Sequence, residues 1–336
     1  MINIHYLDSF TFESGYTFKN IPIAYSTWGK LNDTADNVIV VCHSLTSNTL
    51  VDEWWSDILG PNKGLDTNKY FVICFNVLGS PYGSFSPITK INGDTNTPLN
   101  SKFPVPSIRD NVKAHKLVLD QLGINKVFCA IGGSLGGMQT LEWANQFSEY
   151  IAKIIPIGVG AWHSPWCIAW SDIQRQMIMN DPNWSNGFYS NDNPPNDGLG
   201  LARQTALISY RSQSSFQDRF KRNKTDDIYD VSSYLMHHHD IFNDRFDANC
   251  YLALLDSMDT HDLSHGTNNC AAVLKNFTQD ALVIGIKSDI LYPPQEQEFL
   301  ANHIPRAELK IMDFSHGHDA FLIETDEINQ YLLSWL

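Results

Sequence analysis

A serine flanked by glycines, between a predicted strand and a predicted helix, constrains this chain more than any other feature. Residues 132–136 read Gly-Gly-Ser-Leu-Gly and fit the pattern G-x-S-x-G around Ser134. The preceding run, 127–131, is continuously apolar, which is typical of a parallel-sheet strand buried on both faces. The run that begins at Leu135 has the apolar spacing of a helix. This context predicts a nucleophile elbow, the sharp strand-to-helix turn that presents a reactive serine.

A serine nucleophile needs a histidine that takes its proton and a carboxylate that orients the histidine. In the α/β-hydrolase fold, where such elbows occur, the carboxylate and then the histidine follow the serine along the chain. Asp289 lies just past another apolar run, 281–286, at the edge where open α/β sheets bind ligands. A shorter alternating strand pattern at residues 308–312 then leads to His316 and His318. The chain order therefore predicts a triad of Ser134, Asp289 and one of these two histidines.

The residues alone leave alternatives for two members of the triad. His316 and His318 are nearly equal candidates for the base, because both lie in the loop between the last predicted strand and the helical C-terminal segment. Asp313 and Asp319 are weaker rivals of Asp289 for the acid. Asp289 also fits an ordinary turn or helix N-cap aspartate.

An oxyanion hole on this fold uses the backbone N–H of the residue after the nucleophile and an N–H from a loop that follows an early central strand. The first donor is then Leu135. The apolar run 37–41 predicts the early strand, and we take Leu45, in the loop after it, as the second donor. His43 lies in the same loop, but it precedes the serine along the chain. We therefore interpret His43 as a residue that organises the loop.

The predicted buried strands stop at residue 158 and resume at residue 281, with helical patterns rich in tryptophan and tyrosine between them. This predicts an α/β-hydrolase fold with a mostly parallel sheet flanked by helices and an inserted helical cap. We assign residues 1–158 to the first part of the core, 159–277 to the cap and 278–336 to the second part of the core.

Composition is typical of a soluble enzyme. The chain has 336 residues, of which 43% are hydrophobic and 18% charged, and its formal charge of −14 argues against nucleic acid or an anionic membrane as a partner. It has no apolar run of the roughly 18 residues that a membrane span requires, and its first residues lack the features of a signal or transit peptide, which predicts a cytoplasmic protein. Six scattered cysteines predict reduced core residues.

No metal-ligand spacing is present in the sequence. The run of three histidines at 237–239 invites a zinc interpretation. Consecutive residues on a helix point about 100° apart and cannot share one metal ion. We therefore interpret this run as a polar helix face and predict no metal site.

Residues 132–139 and 141–144 resemble the elbow of the homoserine O-acetyltransferases, which are acyltransferases of the α/β-hydrolase fold. Segments 81–84 and 166–170 resemble the fungal branch of that family in particular. Other family-like signatures cover almost the whole chain and lie at residues 24–32, 60–67, 70–74, 107–110, 247–249 and 317–322.

This resemblance implies a mechanism and roles for individual residues. Ser134 is the nucleophile, and Asp289 and His318 are its partners. The implied reaction is ping-pong: acetyl-CoA acetylates the serine, and homoserine then takes the acetyl group. The resemblance implies acetyl-CoA as a co-substrate, no permanently bound cofactor, and a homodimer joined through the cap.

The resemblance also implies that Arg203 and Tyr210 bind substrate and that Asp319 holds the amino group of the acceptor. Arg203 and Tyr210 are seven residues apart on a predicted helix, so they face the same way two turns apart. An amino-acid acceptor has a carboxylate for the arginine and an ammonium for the aspartate.

Three positions depart from the family pattern near the expected acyl and acceptor sites. Leu135 stands where a methionine is usual, Ser47 stands where the oxyanion loop commonly has a glycine, and Trp162 stands where relatives often have an arginine. These departures leave a serine O-acyltransferase and a carboxylic ester hydrolase as alternative functions.

Overall fold

A large central sheet organises the chain in the computed structural model, which describes residues 1–90 and 97–336. In chain order the strands are β1 (Asn3–Thr11), β2 (Thr17–Trp28), β3 (Val38–Cys42), β4 (Phe71–Phe75), β5 (Val127–Gly133), β6 (Ile151–Ile157), β7 (Lys224–Thr225), β8 (Ile228–Tyr229), β9 (Asp280–Ile286) and β10 (Ala307–Met312). Within the described residues, β7 and β8 pair only with each other, and the remaining eight form one sheet in the order β1-β2-β4-β3-β5-β6-β9-β10.

The sheet is mostly parallel, as the sequence predicts. Strands β1 and β2 pair antiparallel, as do β2 and β4, and every pair from β4 to β10 across the sheet is parallel. All five residues of β3 are buried, which is typical of a strand covered on both faces. The predicted strands at 37–41, 127–131, 281–286 and 308–312 are confirmed to within one or two residues.

Helices cover both faces of the sheet. They are α1 (Val51–Trp54), α2 (Ile108–Gln121), α3 (Leu135–Gln146), α4 (Pro165–Met179), α5 (Asn196–Tyr210), α6 (Gln213–Phe220), α7 (Asp230–Asn243), α8 (Ala248–Asp259), α9 (Cys270–Leu274), α10 (Pro294–His303), α11 (Ala320–Ile323) and α12 (Thr325–Trp335). Alternate residues of β3 enter two apolar cores, with Val38 and Val40 in one and Ile39 and Val41 in the other. The sheet therefore separates two cores.

Residues 159–277 contain helices α4 to α9 and the short β7–β8 ribbon, and they add no strand to the large sheet. In this segment α4 packs against α5 and α8, and α5 packs against α7. The division into a core and an inserted cap with these boundaries stays a prediction. Helix α5 begins at Asn196, directly after two prolines.

All six cysteines are free and buried, which confirms their interpretation as core residues. In the described part of the chain, no helix is long and apolar enough to cross a membrane. The three consecutive histidines lie on α7, where His239 accepts a hydrogen bond from the side-chain amide of Gln204 (3.2 Å) and the ring of His238 packs against Tyr234.

Candidate active site

Ser134 occupies a strained turn between β5 and α3. Its backbone angles are φ 58° and ψ −124°, a region that non-glycine residues rarely adopt. Strand β5 continues to Gly133, beyond the predicted end of the strand, because Gly132 and Gly133 still pair with β6. The backbone N–H of Ser134 then donates to the carbonyl oxygen of Ile157 (2.9 Å). The turn is thus held by the sheet itself, and the serine lies at the carboxyl edge of the strands.

The glycines on either side of Ser134 allow backbones to approach closely. A Cβ atom added to Gly132 would lie 2.5 Å from the carbonyl oxygen of Cys42, and one added to Gly136 would lie 2.0 Å from the same oxygen. Both distances are far inside van der Waals contact, so a side chain at either position would push α3 away from β3. The close approach that the G-x-S-x-G pattern predicts is present.

Asp289 follows β9 and bonds to His318. The backbone N–H groups of Leu291 and Tyr292 donate to Asp289 Oδ1 (2.8 and 2.9 Å), which fixes the carboxylate. His318 Nδ1 lies 2.7 Å from Asp289 Oδ2, and both side chains are buried. A carboxylate held in this way selects the tautomer that carries its proton on Nδ1 and leaves Nε2 to accept a proton.

The environment of His318 favours a proton on the ring. Burial alone would lower its pKa, but the charge and hydrogen bond of Asp289, with a smaller effect of the Asp319 charge, raise the pKa above 6.5. The ring packs against Tyr210, Tyr292 and Phe321. Its Nε2 atom is buried and has no hydrogen-bond partner among the described residues, although His318 and Ser134 line the same cavity. Catalytic hydrogen bonds often form fully only when substrate is bound.

The rival acid and base candidates have other partners. His316 Nδ1 bonds to Glu324 Oε1 (2.6 Å), and the exposed Asp313 pairs with Lys287 (3.0 Å). Their positions favour the pairing of His318 with Asp289 that the resemblance implies.

His43 is buried and bonded on both ring nitrogens. The backbone N–H of Val77 donates to its Nε2 (3.2 Å), and its Nδ1 lies 2.8 Å from the carbonyl oxygen of Ser44. Burial lowers the pKa of His43 to about 4, so the ring is neutral. These bonds hold the loop after β3, in agreement with its predicted role.

That loop and the start of α3 hold the two predicted oxyanion donors. Leu135 is the first residue of α3, so its N–H has no acceptor within the helix. Leu45 lines the same cavity as Ser134. Both leucines are buried. Their backbone N–H groups remain the proposed oxyanion hole.

Ser134 opens into a small cavity of about 90 Å³. Its size is well below the roughly 300–1,000 Å³ of a site for drug-sized ligands. Arg203 and Tyr210 lie on α5, as predicted, with the Arg203 guanidinium carbon 5.9 Å from the centre of the Tyr210 ring. The lining residues are Ser44, Leu45, Thr46, Ser47, Ser134, Arg203, Tyr210, His318, Asp319, Phe321 and Leu322.

One ion pair at this cavity was not expected from the sequence. Asp319 Oδ2 lies 3.3 Å from Nε of Arg211, the residue that follows α5. The segment between β10 and α11 carries His318 and is called the histidine loop here. Gly317, at φ 72°, allows this loop to approach the end of α5, since an added Cβ would lie 2.6 Å from the Ser212 backbone nitrogen. In the sequence, the glycine before His318 is compatible with a close backbone approach, but it does not indicate which segment the loop contacts.

The three departures from the family pattern lie in different places. Ser47 lines the cavity and its hydroxyl is 2.9 Å from that of Ser44, and Leu135 begins α3 beside the nucleophile. The expectation for Trp162 is wrong: it does not line this cavity, but packs its ring against Phe299 (5.3 Å between ring centres) and is 40% exposed.

Comparison with known proteins places this geometry in a family. A family profile described as alpha/beta hydrolase fold matches residues 37–325. A homoserine O-acetyltransferase of Salinibacter ruber is 46% identical over 97% of this chain and 94% of its own length. A fungal homoserine O-acetyltransferase, FUB5 of Gibberella fujikuroi, is 42% identical over 98% of this chain and 86% of its own. The chain belongs to the homoserine O-acetyltransferase family. The recognition made from the elbow and the other signatures is thereby confirmed.

Solved structures agree on the fold. The crystal structure of a homoserine O-acetyltransferase from Staphylococcus aureus has a TM-score of 0.82 at 30% identity and covers all of this chain and 94% of its own. Esterase E22 has a TM-score of 0.92 at 24% identity and covers 99% of both chains. An esterase and a transferase thus share this backbone, so the fold alone does not select the acyl acceptor.

Proposed function

We propose that this protein transfers the acetyl group of acetyl-CoA to the hydroxyl of L-homoserine through an acetyl-serine intermediate, a step that serves methionine biosynthesis. The supporting observation is the cavity at Ser134. The buried Ser134 lines this cavity together with one guanidinium, Arg203, and one carboxylate, Asp319. This charge pattern complements the two ionic groups of an amino acid.

In the first half-reaction, His318 Nε2 takes the proton of the Ser134 hydroxyl as the oxygen attacks the thioester carbonyl. The negative charge on the carbonyl oxygen is stabilised by the N–H groups of Leu45 and Leu135. The tetrahedral intermediate collapses, the C–S bond breaks, and the imidazolium returns its proton to the leaving thiolate. CoA leaves as a free thiol, and Ser134 carries the acetyl group.

In the second half-reaction, homoserine binds with its carboxylate on Arg203 and its ammonium on Asp319. The ammonium replaces Arg211 as the partner of Asp319. His318 takes the proton of the acceptor hydroxyl, whose oxygen attacks the acetyl carbonyl. The bond to Ser134 then breaks, and the proton passes to the serine oxygen. Tyr210, beside both Arg203 and His318, helps to form the binding surface.

The small cavity also supports transfer in preference to hydrolysis. An acetyl-enzyme survives only if water is kept from the ester until the acceptor arrives. The cavity is small and is lined by the loop after β3, by α5, by α11 and by the histidine loop. Its volume of about 90 Å³ favours a short acyl group.

A decisive experiment measures CoA release from acetyl-CoA with homoserine, with serine or with no acceptor. Mass spectrometry of the protein without acceptor should show about 42 Da added at Ser134, the mass of one acetyl group in a covalent intermediate. Release that requires homoserine supports the proposal. Release with serine instead indicates a serine O-acyltransferase. Release at the same rate in water alone indicates an ester hydrolase.

Ester hydrolysis is the second candidate, and Ser47 is the observation that favours it. Its hydroxyl bonds to that of Ser44 in the wall of the catalytic cavity, where it offers a polar contact to a water molecule. If this candidate is correct, Ser47→Gly should lower hydrolysis of a short ester and leave acylation of Ser134 unchanged.

We further propose a cytoplasmic homodimer joined through residues 159–277. Six free, buried cysteines agree with a reducing compartment. Helices α4, α5 and α7 expose large apolar side chains of the kind that a second copy would cover. These side chains are Ile168, Ile173, Met179, Leu201, Ile208, Met236 and Ile241.

A further inference from the structure

A second cavity, of about 560 Å³, lies away from Ser134. It is formed by the loop after β6, the segment from the end of α8 to the start of α9, and helix α10. None of its lining residues lines the catalytic cavity. Its volume lies within the range of ordinary small-molecule sites. The lining residues are Trp162, His163, Asp259, His261, Asp262, Ser264, Asn268, Asn269, Cys270, Ala271 and Phe299.

His261 lines this cavity and has a ring nitrogen without a partner among the described residues. The residue is 2% exposed, and its Nε2 lies 3.0 Å from the carbonyl oxygen of Gly160. Because a carbonyl only accepts, the ring proton is on Nε2 and the Nδ1 lone pair is free. That Nδ1 is buried and has no hydrogen-bond partner among the described residues. Burial lowers the pKa of His261, so the ring stays neutral. A buried acceptor without a donor is costly unless something supplies one.

Asp259 adds an unsatisfied carboxylate oxygen. Its Oδ2 pairs with Arg175 (2.6 Å), whereas its buried Oδ1 lies 3.5 Å from His163 Nε2 and has no hydrogen bond among the described residues. Arg175 is shared with two further carboxylates, Asp172 and Asp256, so one positive charge faces three negative charges. The lining itself contains two aspartates, Asp259 and Asp262, and no lysine or arginine. The charged side chains of the lining are therefore carboxylates alone.

Two aromatic side chains, Trp162 and Phe299, also line the cavity. The ring of Trp162 meets the ring of Phe299 edge to face, with 5.3 Å between their centres. The face of an aromatic ring attracts cations, and tryptophan does so most strongly. The cavity thus combines a carboxylate, a neutral imidazole acceptor and an aromatic surface. These groups are complementary to an organic cation that carries N–H donors.

We propose that this cavity binds a small organic cation with a primary ammonium group. The ammonium donates to His261 Nδ1 and Asp259 Oδ1, and the carbon chain packs on Trp162 and Phe299. This site is separate from the catalytic cavity, so the proposal does not depend on the proposed reaction.

The test is isothermal titration calorimetry of the full-length protein at low salt. The probe is 1,4-diaminobutane, and its matched control is 1,4-butanediol, which has a similar length and hydroxyl donors but no charge. We expect saturable binding of one diamine per chain and no saturable binding of the diol.

Two variants test the contacts. Asp259→Asn removes the charge but keeps the shape. His261→Gln keeps an amide N–H for the Gly160 carbonyl and removes the Nδ1 acceptor. Each should weaken diamine binding by about tenfold or more, the usual loss for a hydrogen bond to a charged group. Circular dichroism and thermal unfolding check that each variant folds. If one variant does not fold, the diamine affinity of the other variant tests the proposal.

A control variant should leave diamine affinity within about twofold, as expected for a separate site. Asp319→Asn removes the carboxylate of the catalytic cavity. At about 10 mM diamine, even a site with a Kd of about 1 mM is mostly filled. Absence of saturable diamine binding at that concentration would overturn the proposal. Binding lost in Asp319→Asn but retained in Asp259→Asn would overturn it as well.

Discussion

At the scale of single residues, Asp289 determines what His318 can do. Asp289→Asn keeps the size of the side chain but removes the charge that raises the pKa of His318 and stabilises its protonated form. We expect kcat to fall by about 10³- to 10⁴-fold, the loss that this kind of change causes in a serine–histidine–aspartate triad. Steady-state CoA release measures it.

The matched control is Asp313→Asn, because Asp313 was a rival candidate for the acid and pairs only with the exposed Lys287 in the described structure. Its kcat should stay within about twofold of the unmodified protein, as for an independent surface site. Equal losses in both variants would contradict the assignment of Asp289 as the acid.

The pKa of His318 also predicts the pH profile. The base must be neutral, and its pKa lies above 6.5 in the folded protein. Activity should therefore fall as pH drops through a value above 6.5. In Asp289→Asn the cause of the raised pKa is gone, so the acid limb of the residual activity should move to lower pH. The measurement is kcat/KM for acetyl-CoA against pH, which reports the free enzyme. An acid limb that does not move would exclude His318 as the titrating base.

Glu296, in α10 behind the active site, predicts a pH-dependent stability. Burial, with the nearby charge of Asp289, raises its pKa from 4.5 to about 7, and its Oε2 has no hydrogen-bond partner in the described part of the chain. Between these values the unfolded chain has lost the proton and the folded chain keeps it, so stability falls as pH rises from about 4.5 to 7. Glu296→Gln should remove this contribution, roughly 1–3 kcal/mol.

Urea unfolding at pH 5 and pH 8 measures the effect. The difference in unfolding free energy between the two pH values should be smaller in Glu296→Gln than in the unmodified protein. A parallel fall in both proteins would show that other groups cause the pH dependence. Glu298→Gln, an exposed change on the same helix, is the matched control.

At the scale of elements, the contact of α3 with β3 depends on glycine. Gly136→Ala would place a Cβ 2.0 Å from the Cys42 carbonyl oxygen, which cannot move without distorting β3. We expect a loss of more than about 3 kcal/mol, or failure to fold, as for severe overpacking. Gly15→Ala is the control: Gly15 has φ 87° but no atom within 4 Å of an added Cβ, so only ~1–2 kcal/mol of backbone strain is expected. Similar losses in both would contradict the steric explanation.

Sequence patterns predicted the elements well where local signals and burial agree. The apolar runs of β3, β5 and β9 are buried on both faces, so composition alone identified them. The segment 107–110 was recognised as a family signature, and it is also a capping box in which Ser107 and Asp110 begin α2. That local pattern could have been recognised without the family.

Contacts between distant segments could not be predicted in the same way. The Arg211–Asp319 pair joins the end of α5 to the histidine loop, and no local pattern indicates that these segments meet. For the same reason Trp162 was expected near the acyl site, although the chain after β6 turns it towards Phe299. Bonds made by His43 and His316 with their neighbours depend on backbone positions that only the folded chain defines.

At the scale of the whole molecule, the apolar surface of α4, α5 and α7 predicts a dimer. Exposed apolar side chains on adjacent helices cost free energy in water that a second copy would recover. Light scattering after size exclusion should therefore give twice the chain mass of 38.0 kDa. Ile173→Asp, on α4, should give a monomer, because it buries an unpaired carboxylate in the contact.

Ile4→Asp is the matched control for this dimer. Ile4 lies on the edge strand β1 and is 50% exposed, against 48% for Ile173. The two substitutions therefore lie in different parts of the fold but at side chains of almost equal exposure. A dimer that persists in Ile4→Asp but dissociates in Ile173→Asp places the contact on residues 159–277. Dissociation in Ile4→Asp alone would move the contact to the sheet edge, because a carboxylate on an edge strand blocks pairing between two sheets. In that case a second copy would not cover α4, α5 and α7, and the helix that carries Arg203 would keep its position without a dimer contact.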